Sequence, residues 1–180
     1  MFVRHAMPEI QKDVPSSRWR LTESSKEDCV LLAHALPAKL APVIYHSDQL
    51  KAAETALVIA LRRGLQMVRD TRLAEVDQSA SGWLDDYESV AMRYLETGES
   101  PGWEPQPSVV ARMDAAVGDA LAAQPDDGAV VLVGHGLAPT LWLHSQRPFE
   151  DIAAFWRGLT LPDAWQLDLE SGELARVERF

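Results

Sequence analysis

Residues 1–9 read MFVRHAMPE, and the rest of the chain is organised around them. Phe2 and Val3 are a short apolar run of strand character, cut off by Arg4 and His5. Pro8 cannot extend a central strand and biases Met7 toward extended geometry, so the chain turns away after Ala6. In an α/β chain, ligands bind at the carboxyl ends of the strands. Arg4 offers a planar fork of donors to phosphate oxygens, and a neutral imidazole such as that of His5 is a competent nucleophile. An Arg-His pair alone carries little information, since a lone histidine is more often structural than catalytic. The other strand tips decide the matter.

Residues 129–133 (AVVLV) are the strongest strand signal, continuously apolar as a buried parallel strand is. The run ends in Gly134-His135-Gly136, and a helix resumes over 137–145. Glycines beside His135 permit close backbone approach, and the helix start offers N–H donors to an anion. Residues 41–45 (APVIY) read as a second buried strand ending in His46-Ser47-Asp48. Ser47 or Asp48 is the expected cap of a helix over 49–63, with Leu50, Ala53, Leu57, Ala60 and Leu61 as its buried stripe and Gly64 as its stop. Lys51 falls in the first turn of that helix, where a cation opposes the macrodipole unless an anion sits nearby. A third strand begins at 66–68, and Arg72-Leu73-Ala74-Glu75-Val76 follows it.

Between these elements, residues 10–20 form a polar loop carrying Lys12, Arg18 and Arg20. Thr22 starts a helix that runs to about Leu36, with Cys29, Leu32, Ala33 and Leu36 on its apolar stripe and His34 off it. Residues 77–107 are punctuated by glycine and proline, with a short helix around 85–95 and Trp83 and Trp103. They read as an excursion over the strand ends, a partial lid. A helix over 109–123 capped by Ser108, a turn at 125–128, a short helix over 149–157 and a hairpin around Ser171-Gly172 complete the chain. The alternation predicts a single α/β domain over residues 1–180: a three-layer sandwich with a mainly parallel central sheet flanked by helices.

The length suits one well-cored domain, and the composition (47% apolar, 24% charged) is that of a globular protein. A formal charge of −10 argues against nucleic-acid or anionic-membrane partners, so an anionic substrate must be attracted by a local pocket. Cys29 is the only cysteine, which rules out an intrachain disulfide or a cysteine-based zinc site. No apolar run reaches membrane-spanning length and the start lacks signal-peptide character, so the expected location is cytoplasmic.

Together the strand tips gather two histidines (His5, His135), two cations (Arg4, Lys51) and one carboxylate (Glu75), a set suited to phosphomonoester transfer. In this arrangement the sequence resembles the histidine phosphatase superfamily, of phosphoglycerate-mutase-like fold. The family's R-H-G motif is matched by Arg4-His5-Ala6, and its S-S-x-x-x-R-A-x-Q-T-A segment by HSDQLKAAETA at 46–56. Its L-x-E is matched by Leu73-Ala74-Glu75, its V-x-x-H-G by residues 132–136, and its helix-opening L-T by Leu21-Thr22. The matches occur in the family's order along essentially the whole chain.

The resemblance implies a phosphohistidine nucleophile at His5, a phosphate pocket of Arg4, Lys51 and His135 assisted by the Gly136 N–H, and Glu75 as proton donor. Gln11 falls where many members have an asparagine that contacts phosphate. It implies no metal and no organic cofactor, and a small-molecule or protein phosphomonoester as substrate. Three departures stand out: Ala6 adds a Cβ where the family has none, Lys51 replaces an arginine fork with a point charge, and Glu54 replaces glutamine. The run after Glu75 is displaced from the family pattern, which makes Asp77 a second candidate acid. Four alternatives stay open: a phosphate- or phosphopeptide-binding module with weak catalysis, a phosphoglycerate-type mutase, a phosphohistidine-protein phosphatase, and metal-dependent hydrolysis with His5, His46 and His135 as ligands.

Overall fold

Side-chain alternation along one strand divides the molecule into its layers. In the computed structural model, which describes residues 1–124 and 128–178, that strand is β4 (Ala129–Gly134). Val131 and Val133 pack on one face with Leu32 and Ala33 of α1 (Glu23–Ala35) and Ala52, Ala56 and Ile59 of α2 (Leu50–Arg63). Val130 and Leu132 face the other way. There they join the core built by α3 (Tyr87–Thr97), α4 (Gln106–Ala122), α5 (Leu137–Gln146) and α6 (Ile152–Arg157).

The remaining strands are β1 (Phe2–Arg4), β2 (Leu40–His46), β3 (Gln66–Arg69), β5 (Asp163–Leu167) and β6 (Leu174–Arg176), in the order β3-β2-β4-β1-β5-β6. The pairs β3–β2, β2–β4 and β4–β1 are parallel, whereas β5 runs antiparallel to β1 and β6 to β5. This is the mainly parallel three-layer sheet expected from the sequence. No helix among the described residues is long and apolar enough to cross a membrane.

Local signals fix most boundaries. The Thr22 hydroxyl accepts the Ser25 N–H at the start of α1, and Gly64 closes α2 in the left-handed region at φ 67°. Helix α4 begins at Gln106, earlier than expected, because Pro107 fits the first turn of a helix, where its missing N–H has no partner to lose. The cap role expected of Ser47 or Asp48 falls instead to Gln49, without a side-chain cap bond. The buried stripe of α2 is also rotated: Leu57 and Leu61 are 46% and 76% exposed, and the inner face is Lys51, Ala52, Thr55, Ala56, Ile59 and Ala60. Small residues there let the helix lie close against the sheet. Of the turn at 125–128, only Gly128 lies within the described residues.

Packing around Ala6 links this scaffold to the site. Ala6 is fully buried in a small cluster with Leu21 and Cys29, which absorbs the methyl group that the family lacks. Its N–H donates to Thr55 Oγ1 (3.0 Å), and the Thr55 hydroxyl donates in turn to the Lys51 carbonyl (2.8 Å). Thr55 therefore anchors the residue that follows His5. Replacing it with valine preserves shape but strands a buried N–H, a loss of about 1–3 kcal/mol. A lowered urea midpoint in Thr55→Val and a near-native one in Thr55→Ser are expected; equal midpoints in both would contradict the anchoring role.

Candidate active site

Register brings the two histidines together. Arg4 lies opposite Gly134 across the β1–β4 pair, and the His5 N–H donates to the Gly134 carbonyl at 3.0 Å. The next residues on the two chains are thus His5 and His135, whose ring centroids are 5.3 Å apart at 66°. His5 Nδ1 lies 2.7 Å from the Ala6 carbonyl, which only accepts, so the proton is assigned to Nδ1 and Nε2 keeps its lone pair. His135 Nε2 lies 2.8 Å from Ser47 Oγ, and its Nδ1 is buried without a partner among the described residues. Burial, then the neighbouring charges, hold both imidazoles well below the ordinary histidine value. For His5 those neighbours are His135, Lys51 and Arg4, and for His135 they are Lys51, Arg112 and Arg4.

Two cations flank the rings. Arg4 is partly buried; its Nη1 donates to the Leu159 carbonyl (3.1 Å), while its Nε is buried and has no partner among the described residues. Burial lowers its pKa, against the opposing pull of Glu75, Tyr87 and Asp163. A Cβ on Gly136 would stand 3.4 Å from the Arg4 guanidinium carbon and 2.9 Å from Trp156 Nε1, so glycine is what lets the guanidinium lie against this backbone. Lys51 is 6% exposed and donates to the Ser16 carbonyl at 2.8 Å, with Nζ 5.4 Å from the Trp19 ring centroid. Desolvation lowers its pKa to about 8, opposed by Glu75.

Glu75 occupies the start of α5. Its Oε2 accepts the N–H groups of Gly136 (2.9 Å) and Leu137 (3.0 Å), and its Oε1 those of Ala138 (2.8 Å) and Val76 (3.0 Å). The carboxylate is thus held at the positive end of a helix, and the Gly136 N–H expected to assist phosphate is engaged with it. Arg112 of α4 fixes the same loop from behind, donating to the carbonyls of Arg72, Ala74 and Glu75 and to both oxygens of Glu104.

Other expected residues fall outside this group. Asp77 is exposed, and its carboxylate accepts the Ser79 N–H, which lowers its pKa and engages it in a turn. Gln11 is exposed and is held through its backbone carbonyl, which accepts from Val14 N–H and Trp19 Nε1. His46 is buried, with its Nδ1 2.8 Å from the Ser47 carbonyl. Among the described residues, no three His, Cys, Asp or Glu side chains are grouped to hold a metal ion. Glu54 accepts the Leu21 N–H and an Arg20 nitrogen, fixing the end of the first loop.

Across the mouth, two loops meet. Trp19 and Trp83 have ring centroids 6.4 Å apart, and Lys12 Nζ lies 4.9 Å from the Trp83 centroid. Both indoles are pinned through Nε1, Trp19 to the Gln11 and Val14 carbonyls and Trp83 to Asp85. Two open clefts, of about 490 and 320 Å³, share no residue with the histidine pair.

Sequence reasoning missed Ser47, Thr55 and Arg112. Ser47 was legible as part of the 46–56 segment but read only as a helix cap. Arg112 carried no signal, because an arginine inside a helix reads as an ordinary solvated residue.

A family model described as the histidine phosphatase superfamily (branch 1) matches residues 1–177. Among solved structures, a mycobacterial glucosyl-3-phosphoglycerate phosphatase aligns with TM-score 0.75 at 24% identity, over 97% of this chain and 94% of that one. YhfR of Bacillus stearothermophilus aligns with TM-score 0.72 at 18% identity, over 97% and 93%. A phosphoglycerate mutase of Bacillus anthracis aligns with TM-score 0.71 at 16% identity, over 99% and 90%. At these identities the likeness is one of fold. No curated protein matches the chain at a significant level of sequence similarity.

Lys51 gives the site a pH dependence of definite sign. It is a cation below its depressed value of about 8 and neutral above it, so inorganic phosphate is expected to bind more weakly as pH rises through 8. The unfolded chain keeps this proton up to the ordinary lysine range, so the same residue's contribution to stability grows with pH above about 8. Titration calorimetry on the native protein and Lys51→Arg checks this: the alkaline weakening should vanish in the arginine variant. Its persistence there would assign the effect elsewhere.

Proposed function

Because this chain belongs to branch 1 of the histidine phosphatase superfamily, we propose that it is a phosphomonoester hydrolase acting through a phosphohistidine on His5. The observation that carries this reading is the His5 imidazole. Its Nδ1–H is bound to the Ala6 carbonyl, so a bare Nε2 is left on a ring whose centroid lies 5.3 Å from that of His135. Nε2 attacks phosphorus, the bond to the leaving oxygen breaks, and Glu75 gives that oxygen a proton. Water then attacks phosphorus, Glu75 takes the water's proton, and His5 is released with inorganic phosphate. Arg4, Lys51 and His135 bind the non-bridging oxygens, where negative charge is concentrated during transfer.

Glu75 accepts four N–H bonds, from Val76, Gly136, Leu137 and Ala138, all of which favour its charged form. The reading therefore requires it to give up part of this set and take up a proton, from the solvent or from the ester's own monoanion, when the ester binds, which frees the Gly136 N–H for a phosphoryl oxygen. No metal or organic cofactor enters the scheme. Residues 77–107 act as a lid within one catalytic domain, and the leaving group passes over Trp83 and Trp19 toward Lys12. That path suits a ring-bearing alcohol with an anionic group, and glucosyl-3-phosphoglycerate is a natural member of the test panel. One observation favours a weakly catalytic binding module instead: the Lys51 ammonium is tied to the Ser16 carbonyl.

Turnover of a panel of phosphomonoesters, with trapping of the phosphoenzyme, tests the proposal. His5→Ala is expected to lose roughly a thousandfold or more in kcat, and the native protein to yield an acid-labile, alkali-stable phosphoprotein. Equal rates in both proteins would favour the binding module, and primed isomerisation of phosphoglycerate a mutase. Trp83→Ala is expected to raise KM for ring-bearing esters more than for short alkyl esters; a uniform change across the panel would contradict the leaving-group path.

A further inference from the structure

The hydroxyl of Ser47 lies fully buried between a donor and an imidazole. It receives the Gln49 N–H at 3.2 Å and lies 2.8 Å from His135 Nε2. The orientation of the Ser47–His135 bond follows from hydrogen-bond accounting. If His135 Nε2 carried the proton, Ser47 Oγ would accept twice and its own O–H would have no acceptor among the described residues, a costly state for a buried group. If Ser47 donates to Nε2, the hydroxyl and Nε2 are both satisfied, Gln49 N–H to Ser47 Oγ and Ser47 O–H to His135 Nε2, and only the Nδ1 side of the ring is left open. The His135 proton then lies on Nδ1, the buried atom without a partner among the described residues, just as Arg4 Nε is buried without one. Two unpartnered buried donors beside the nucleophile suit oxygens of a bound tetrahedral anion.

We propose that Ser47 is a positioning residue that sets the tautomer of His135, so that His135 offers an Nδ1–H to a phosphoryl oxygen while His5 presents a bare Nε2. The inference rests on the phosphatase reading for its consequence, although the tautomer itself does not. Ser47 fills this role because its backbone is already fixed, its N–H donating to the Val133 carbonyl at 3.0 Å on the strand that leads to His135. The pairing is thus built across the β2–β4 junction, independently of any ligand. An imidazole held in one tautomer meets the substrate as a ready donor; one free to exchange offers its lone pair to an anion part of the time, which repels it.

The test is nitrogen-15 NMR of the histidines in the substrate-free protein near pH 7.5, with His135 assigned through His135→Gln. The native protein should show His135 protonated at Nδ1 and not at Nε2. Ser47→Ala should move those signals toward tautomer averaging and lower kcat/KM by about tenfold to a hundredfold, the range seen when an orienting partner is removed. Ser47→Thr should restore both the tautomer and most of the activity. A native His135 protonated at Nε2 overturns the inference, as does Ser47→Ala with an unchanged tautomer and only a lower melting temperature. If Ser47→Ala does not fold, the native spectrum decides alone. Full turnover in His5→Ala, by contrast, would defeat the phosphatase reading and leave the tautomer result intact.

Discussion

The parallel pairing of β1 with β4 is the constraint on which the site depends. With Arg4 opposite Gly134, the two strands end at the same level, and the next residue on each is a histidine. A shift of one strand by one residue would turn that strand's side chains to the opposite face while its partner's stayed. The imidazoles would then lie on opposite sides of the sheet. Register is set by the alternation of β4, whose valines 131 and 133 and residues 130 and 132 are buried in separate cores. The hydrophobic layers and the histidine pair are therefore two outcomes of one alignment.

A second constraint is the start of α5, where peptide N–H groups need partners and Glu75 supplies them. The positive field at this helix start is balanced by the Glu75 carboxylate. Arg112 ties down the backbone of the Glu75 loop through three carbonyls, those of Arg72, Ala74 and Glu75 itself. In the proposed reaction a phosphoryl oxygen and Glu75 would compete for the Gly136 N–H, which would couple anion affinity to proton donation.

What the sequence made legible were residues at strand tips: Arg4, His5, Lys51, Glu75 and His135 each follow or interrupt an apolar run, and the fold follows from the same runs. What it hid were roles made by contact at a distance. Ser47 looks like a helix cap until β4 brings His135 to its hydroxyl. The leucines at 57 and 61 look like core until alanines at 52 and 56 turn the helix by its closer packing face. Ala6 looks like an obstruction until Leu21 and Cys29 are seen to surround it. Lys51 shows its charge in the sequence but not its burial, which is what moves its titration toward neutral pH.

Convergence of these groups on one tetrahedral anion is most directly tested by a crystal structure with orthovanadate. The account predicts vanadium in line with His5 Nε2, with equatorial oxygens meeting Arg4, Lys51 and His135 Nδ1. Vanadate bound away from His5, or a site in which His135 makes no contact with the oxyanion, would contradict it.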